Sequence, residues 1–294
     1  MSAGTSLPGA LNCIVPKRVL EILKYWMEVE VHVFGFSIAA NVLLSFFPFL
    51  IVMVSLFRSV GWSSAEDAIF YSLGDFFSDD LVAHVKLSLS WVVPKKVTFR
   101  FWPLFMLLFT ANGVFEPLEV ALNKVWGVKE NRSFVKNQLI SLGLIFACGS
   151  LALLSVTLTH MNREFLKQSP AGESVAFQLM TLTLFKMLAL PVSISGIFLI
   201  YWILPNRKIH PFQVLPESII VGLVLEVFKY LNLQFWPVLR HKLILEYSTS
   251  FHYSAAIILY SFLASMIILA GAAWAAHSPD RAAIIENSSK PEVR

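Results

Sequence analysis

Between positions 140 and 159 the chain reads ISLGLIFACGSLALLSVTLT, with no charged residue over the roughly 20 residues a helix needs to cross bilayer hydrocarbon. Inside lipid every backbone N–H and C=O must find its partner within the same segment, so such a run folds as an α-helix. A soluble core offers it no refuge. The chain is 56% hydrophobic and only 14% charged, with 25 Phe and 8 Trp among 294 residues, whereas an ordinary soluble domain has about a quarter of its residues charged. The expected fold class is all-α, a polytopic membrane helix bundle.

Apolar segments of comparable length recur at 33–57, 101–122, 138–160, 178–204, 212–236 and 250–276, which predicts about six transmembrane helices. The chain then reads as one membrane domain, residues 1–294. It has a cytoplasmic N-terminal segment 1–30, a bundle 31–277 with an outer loop 58–100, and a polar cytoplasmic tail 278–294. The opening MSAGTSLPGALNCIV lacks a basic n-region and its apolar stretch breaks at Pro16, Lys17 and Arg18, so the first span is expected to serve as its own insertion signal. Orientation follows from the short connections. Those at 123–137 and 205–211 are densely basic, with Lys124, Lys129, Arg132, Lys136, Arg207 and Lys208. The long loop dilutes Arg58, Lys86, Lys95, Lys96 and Arg100 over many residues, so both termini are expected inside. All tryptophans but Trp91 fall near a predicted span end, as an aromatic belt would place them. The formal charge of +4 is scattered among loops, which points to anionic lipid headgroups at the inner face and away from nucleic acid. Cys13 precedes the first span and Cys148 lies within the third, so no disulfide is expected.

The outer loop is amphipathic. Ile69, Leu73 and Phe77, then Leu81, Val85 and Leu89, repeat at i, i+4 and predict one or two helices, lying in the outer leaflet or capping the bundle.

Polar residues inside the spans carry the functional information, because they are costly in hydrocarbon and usually face a partner or a wet cavity. Asn112, Glu116, Glu119 and Asn123 are spaced 4, 3 and 4 apart and form one stripe on the second span. At 1.5 Å per residue Glu116 lies roughly 22 Å down that span, Asn112 near mid-membrane, and Asn41 about 12 Å above the inner boundary on the first span. Ser37, Asn41 and Ser45 share a face at i, i+4, i+8, so the two stripes can join in an inner-half pocket with Glu116 at its cytoplasmic side. Glu119 and Asn123 have a plainer reading, emergence at the headgroups, with the helix ending before Gly127. A second cluster sits in the outer half: Lys186 on the fourth segment, and Glu226 and Lys229 on the fifth, fall at one depth. A Lys186–Glu226 pair would leave Lys229 to bind an anionic group or snorkel outward; a purely structural ion pair is the other reading.

The segment NGVFEPLEVALNKVWGVKENRSFVKNQLISL resembles the signature of the YihY/BrkB family of bacterial inner-membrane proteins, in its Phe-Glu-x-Leu region, its Asn near a Trp-Gly pair and its basic Arg-Ser-Phe. Similar too are SIAANVLLSFFPFLIVMVSL, YWILPNRKIHPFQVLPESIIVGLVLEVFKYLNLQF and HYSAAIILYSFLASMIILAGAAWAA, so the likeness extends over about 30–280. It marks Asn123, Trp126, Gly127, Arg132 and Pro205 as family-motif positions and implies a bacterial inner-membrane location. Ala40-Asn41-Val42 departs from the pattern, which has aromatic or small residues there. Part of the family is named for virulence and part has been labelled ribonuclease BN. A metallo-β-lactamase-type ribonuclease needs clustered ligands such as H-x-H-x-D-H, yet the closest two of the seven histidines, His241 and His252, are eleven apart. No G-x-S-x-G, H-E-x-x-H, P-loop or Cys-x-x-Cys is present either, and SISG at 193–196 lacks the first glycine. The expectation is therefore a non-enzyme without cofactor or metal. Its substrate-binding candidates are Asn41, Asn112, Glu116, Lys186, Glu226 and Lys229. The leading expectation is a transporter or exporter of an anionic or lipid-like envelope molecule; the alternative is an envelope scaffold acting through 58–100. Partners would be membrane lipids and either a second copy or another envelope protein.

Overall fold

A computed structural model of the chain describes residues 30–59, 61, 63–92, 101–128, 132–168, 190–246 and 251–276, with helices and no strand among them. In chain order the helices are α1 (Val31–Ser59), α2 (Ser63–Gly74), α3 (Asp79–Val92), α4 (Phe101–Val125) and α5 (Phe134–Gln168). They continue with α6 (Leu190–Ile203), α7 (Pro211–Glu246) and α8 (Phe251–Ala276).

Among the described residues four stretches are long and apolar enough to cross a membrane: Val31–Ser59, Leu104–Val125, Val135–Leu158 and His252–Ala276. Their outward faces carry large apolar side chains, Phe36, Leu44, Phe109 and Phe146 among them. Contiguous exposure of this kind suits hydrocarbon and not water. The sequence predicts six spans, and two of its segments are not among these four. The fourth, 178–204, is described only from 190, as the shorter apolar helix α6. The fifth, 212–236, lies inside the 36-residue α7, which carries Glu217, Glu226 and Lys229.

Helix α1 is the hub. It packs most extensively on α4, then on α8, while α7 lies along α8 and α5 bridges α4 and α2. Close approach of α1 and α4 depends on Gly113, because a Cβ there would overlap the side-chain oxygen of Asn41. Two buried clusters divide the bundle along its length. One joins Val31 and Ile38 to Leu118, Leu122, Tyr201 and Leu269 at the end where α4 and α6 stop. The other joins Leu50, Met53 and Phe57 to residues of α2, α3, α7 and α8 at the opposite end.

That second cluster decides between the two readings of the loop after α1. Ile69, Phe77, Leu81, Val85 and Leu89 are all buried, so the predicted apolar faces are spent on the bundle and α2 with α3 forms a cap. Polar ties hold its rim: Asn232 Nδ2 donates to the Phe76 carbonyl at 3.0 Å, and Arg240 pairs with Asp80 at 2.8 Å. Asp79 and Asp80 open α3, where carboxylates complement the positive end of the helix dipole. The aromatic belt is corrected at two positions. Trp126 and Trp236 are buried in the two clusters, because their rings fill gaps between helices.

Candidate functional site

Helix α4 ends where its sequence says it should. Gly127 has φ +62°, its N–H donates to the Lys124 carbonyl at 3.2 Å, and the Val128 N–H reaches the Asn123 carbonyl at 2.9 Å. This is the Schellman arrangement, in which a left-handed glycine lets the chain fold back on the last carbonyls.

Arg132 lies against the end of α6. Its Nε donates to Asn206 Oδ1 at 2.9 Å, one terminal nitrogen to the Leu204 carbonyl at 3.1 Å, and the other to the carbonyls of Ile203 at 3.3 Å and Pro205 at 2.7 Å. The last carbonyls of a helix have no intrahelical partner and carry its negative pole, so a guanidinium there satisfies both needs. From the other side the Asn206 N–H donates to Asn123 Oδ1 at 2.7 Å, and Asn123 Nδ2 contacts Glu119 Oε1 at 3.4 Å. Arg207 donates to the Trp126 carbonyl at 3.2 Å. All five family-motif positions thus converge on one clasp between α4 and α6.

The geometry corrects several expectations. Glu119 and Asn123 do not emerge at a headgroup surface; they are 5% and 6% exposed, closed in by Arg132, Asn206 and Asn137. Glu116 is exposed instead of buried. At 100° per residue Glu116 and Glu119 point about 60° apart, and the packed edge of α4 runs between them. Asn41 and Asn112 are half-buried, and Asn41 presses on Gly113, next to Asn112, so the expected match in depth holds. Asn41 Nδ2 bonds its own helix, at the Ser37 carbonyl, 2.9 Å away.

At the cap end Lys229 Nζ lies 2.6 Å from Glu226 Oε1, 5.3 Å from the centre of the Phe76 ring and 5.1 Å from that of Tyr230. Lys229 is 6% exposed. Among the described residues it is therefore a paired, aromatic-boxed cation, held by an i, i+3 carboxylate and two rings. Lys186 lies outside the described residues.

Sequence reasoning missed Asn206, Asn137 and Glu217. Asn206 follows the Leu-Pro that stops α6, a position that reads as an ordinary turn. Glu217 is buried on α7 and acts electrostatically on Tyr201, whose hydroxyl donates to the Ile268 carbonyl at 2.5 Å. No periodic signal marks either.

Three cavities surround these elements. An apolar chamber of about 440 Å³ lies between α1, α4 and α5, with Phe46, Leu107, Phe115 and Gly149 in its walls. A second, of about 300 Å³, lies between α1, α2, α5 and α6 and shares Phe49, Met53 and Cys148 with the first. A shallow polar groove of about 560 Å³ runs beside the clasp, lined by Arg132, Ser133, Lys136 and Asn206 with Leu139 and Ile140.

These features define an all-helical membrane protein with a capped end, a clasped end and apolar chambers between. The family model described as "Virulence factor BrkB" matches residues 22–293, and the chain belongs to that family. Over 128 residues, 42% of the chain, it is 28% identical to a UPF0761 membrane protein of Acinetobacter baylyi. The matched stretch covers 29% of that relative's own length. No solved structure matches the chain.

Proposed function

We propose that the chain is a carrier for an amphipathic, lipid-like molecule of the bacterial envelope, set in the inner membrane with its clasped end and both termini in the cytoplasm. The observation that carries this reading is the pair of adjoining apolar chambers at the depth of the spans. Helices α1 and α5 pack on α4 and α2 but scarcely on each other, and the gap between them is the first chamber. Walls built from charge-free segments favour hydrocarbon over an ion or a sugar. The second chamber continues beneath α2 of the cap, which gives a chain-shaped path along the bundle. The groove with Arg132 and Lys136 suits an anionic headgroup, and the dense positive charge of the neighbouring loops supports the inward orientation of that end.

The scaffold reading keeps one observation in its favour: Leu87 and Trp91, 60% and 83% exposed, stand on the free face of α3 and offer a docking surface for another envelope protein. One experiment separates the two. Protein extracted gently from native membranes is analysed by mass spectrometry for co-purifying amphiphiles, beside a Gly149→Leu variant that fills the first chamber. An amphiphile enriched over bulk lipid and lost in the variant supports the carrier. Identical bulk lipid in both, from folded protein, removes the basis of the carrier and leaves the scaffold.

A further inference from the structure

Glu119 is a carboxyl group with no cation to hold. It is 95% enclosed, with the Asn123 amide on its Oε1 and the Asn137 side chain also interacting with it, while its Oε2 and the Asn137 Oδ1 are buried without a hydrogen-bond partner among the described residues. Among the described residues, the charged groups that act on it are Arg132 from the loop and Glu116 from its own helix. Helices α6 and α8 contain no Asp, Glu, Lys or Arg, and α1 carries only His32 and Arg58 near its two ends. Arg132 makes no ion pair with Glu119, since four of its five N–H groups are spent on Asn206 and the carbonyls of α6. A buried carboxylate without a pair is far costlier than the neutral acid, and only the acid has a proton to place on a neighbouring acceptor.

We infer that Glu119 is a proton-binding site that sets the state of the α4–α6 clasp. With a proton bound, Glu119 is neutral, lies quietly behind Asn123, and Arg132 stays on the α6 carbonyls. When the proton leaves to water, a full negative charge appears within electrostatic reach of Arg132 and competes with three neutral carbonyls for the guanidinium. A charged acceptor binds it more strongly than a neutral one. Arg132 turns towards Glu119, α6 loses the cap on its C-terminal carbonyls, and this end of the bundle loosens. A continuous chain of hydrogen bonds joins the two groups: the Asn123 amide meets Glu119, its Oδ1 accepts from the Asn206 N–H, and Asn206 Oδ1 accepts from Arg132. The inference is independent of what occupies the apolar chambers.

The test uses the full chain in lipid nanodiscs, with Cys13→Ser and Cys148→Ser so that spin labels can be placed at Lys136→Cys and Lys208→Cys, both exposed and on opposite sides of the clasp. Infrared spectra should show a carboxylic-acid C=O band that disappears on alkalinisation and is absent from Glu119→Gln. The label-to-label distance should lengthen over the same pH interval, stay short throughout in Glu119→Gln, and still respond in Glu119→Asp. No such band in the wild-type chain, no pH-dependent distance change in it, or an unaltered response in Glu119→Gln would each overturn the inference. The first two need no variant at Glu119, so a folding defect in the variant cannot shield it.

Discussion

Arg132 is the residue on which the clasp turns, and Arg132→Lys is its sharpest test because charge is kept while the fork is lost. The guanidinium serves four acceptors spread over Ile203 to Asn206. An ammonium on a shorter stem is a single point and reaches at most two of them. Two bonds from a charged donor, at roughly 1.5–3 kcal/mol each when enclosed, reduce to about 2–4 kcal/mol in total because water can reach a half-buried cluster. Arg132→Ala strands all four acceptors and should cost about 3–5 kcal/mol. Arg207→Ala gives the contrast: one bond from an exposed side chain, worth below about 1 kcal/mol. Unfolding by sodium dodecyl sulfate in fixed mixed micelles, followed by helical circular dichroism, orders the three variants. If Arg132→Lys unfolds with the wild-type chain, the fork geometry contributes nothing and the clasp is mere contact between loops.

Gly113→Ala should cost about 1–3 kcal/mol, because its Cβ would lie 2.7 Å from Asn41 Cγ; adding Asn41→Ala should recover at least half in the same titration. Lys229→Met, which strands Glu226 beside Tyr260, should destabilise by about 2–3 kcal/mol, while the double variant with Glu226→Gln should return to within about 1 kcal/mol of wild type. Asp80→Asn should change stability by less than about 1 kcal/mol, and less still in high salt, since both partners of the Arg240 pair are over 40% exposed.

Periodicity and charge-free length carried the helices, the amphipathic cap and the glycine stop of α4, because each is a local property of a short stretch. The depth match of Asn41 with Asn112 also followed, since helical rise is uniform. What failed was rotation. A stripe of four polar residues spans about 60° of helix face, and whether Glu116 or Glu119 turns inward depends on how a neighbour lies, which no local pattern encodes. The same applies to Lys229, whose pairing with Glu226 three residues away on its own helix depends on side-chain orientation that spacing alone leaves open. Trp126 and Trp236 were misread because a residue near a span end meets either headgroups or another helix, and composition is the same in both cases. The clasp itself lay in plain view only as family-motif positions, whose convergence required the fold.

The arrangement of contacts also orders the birth of the protein at the ribosome. Helices α1 and α4 are the most extensively packed pair, with only the cap lying between them in the chain. They can assemble as a hairpin as soon as both have entered the bilayer. Arg132 follows shortly afterwards, yet the Leu204 carbonyl it must grip is synthesised 72 residues later. Throughout that interval Arg132 has none of its four acceptors, which all come from residues 203–206. Closing the clasp therefore waits on the end of α6 and is a later event than the pairing of α1 with α4.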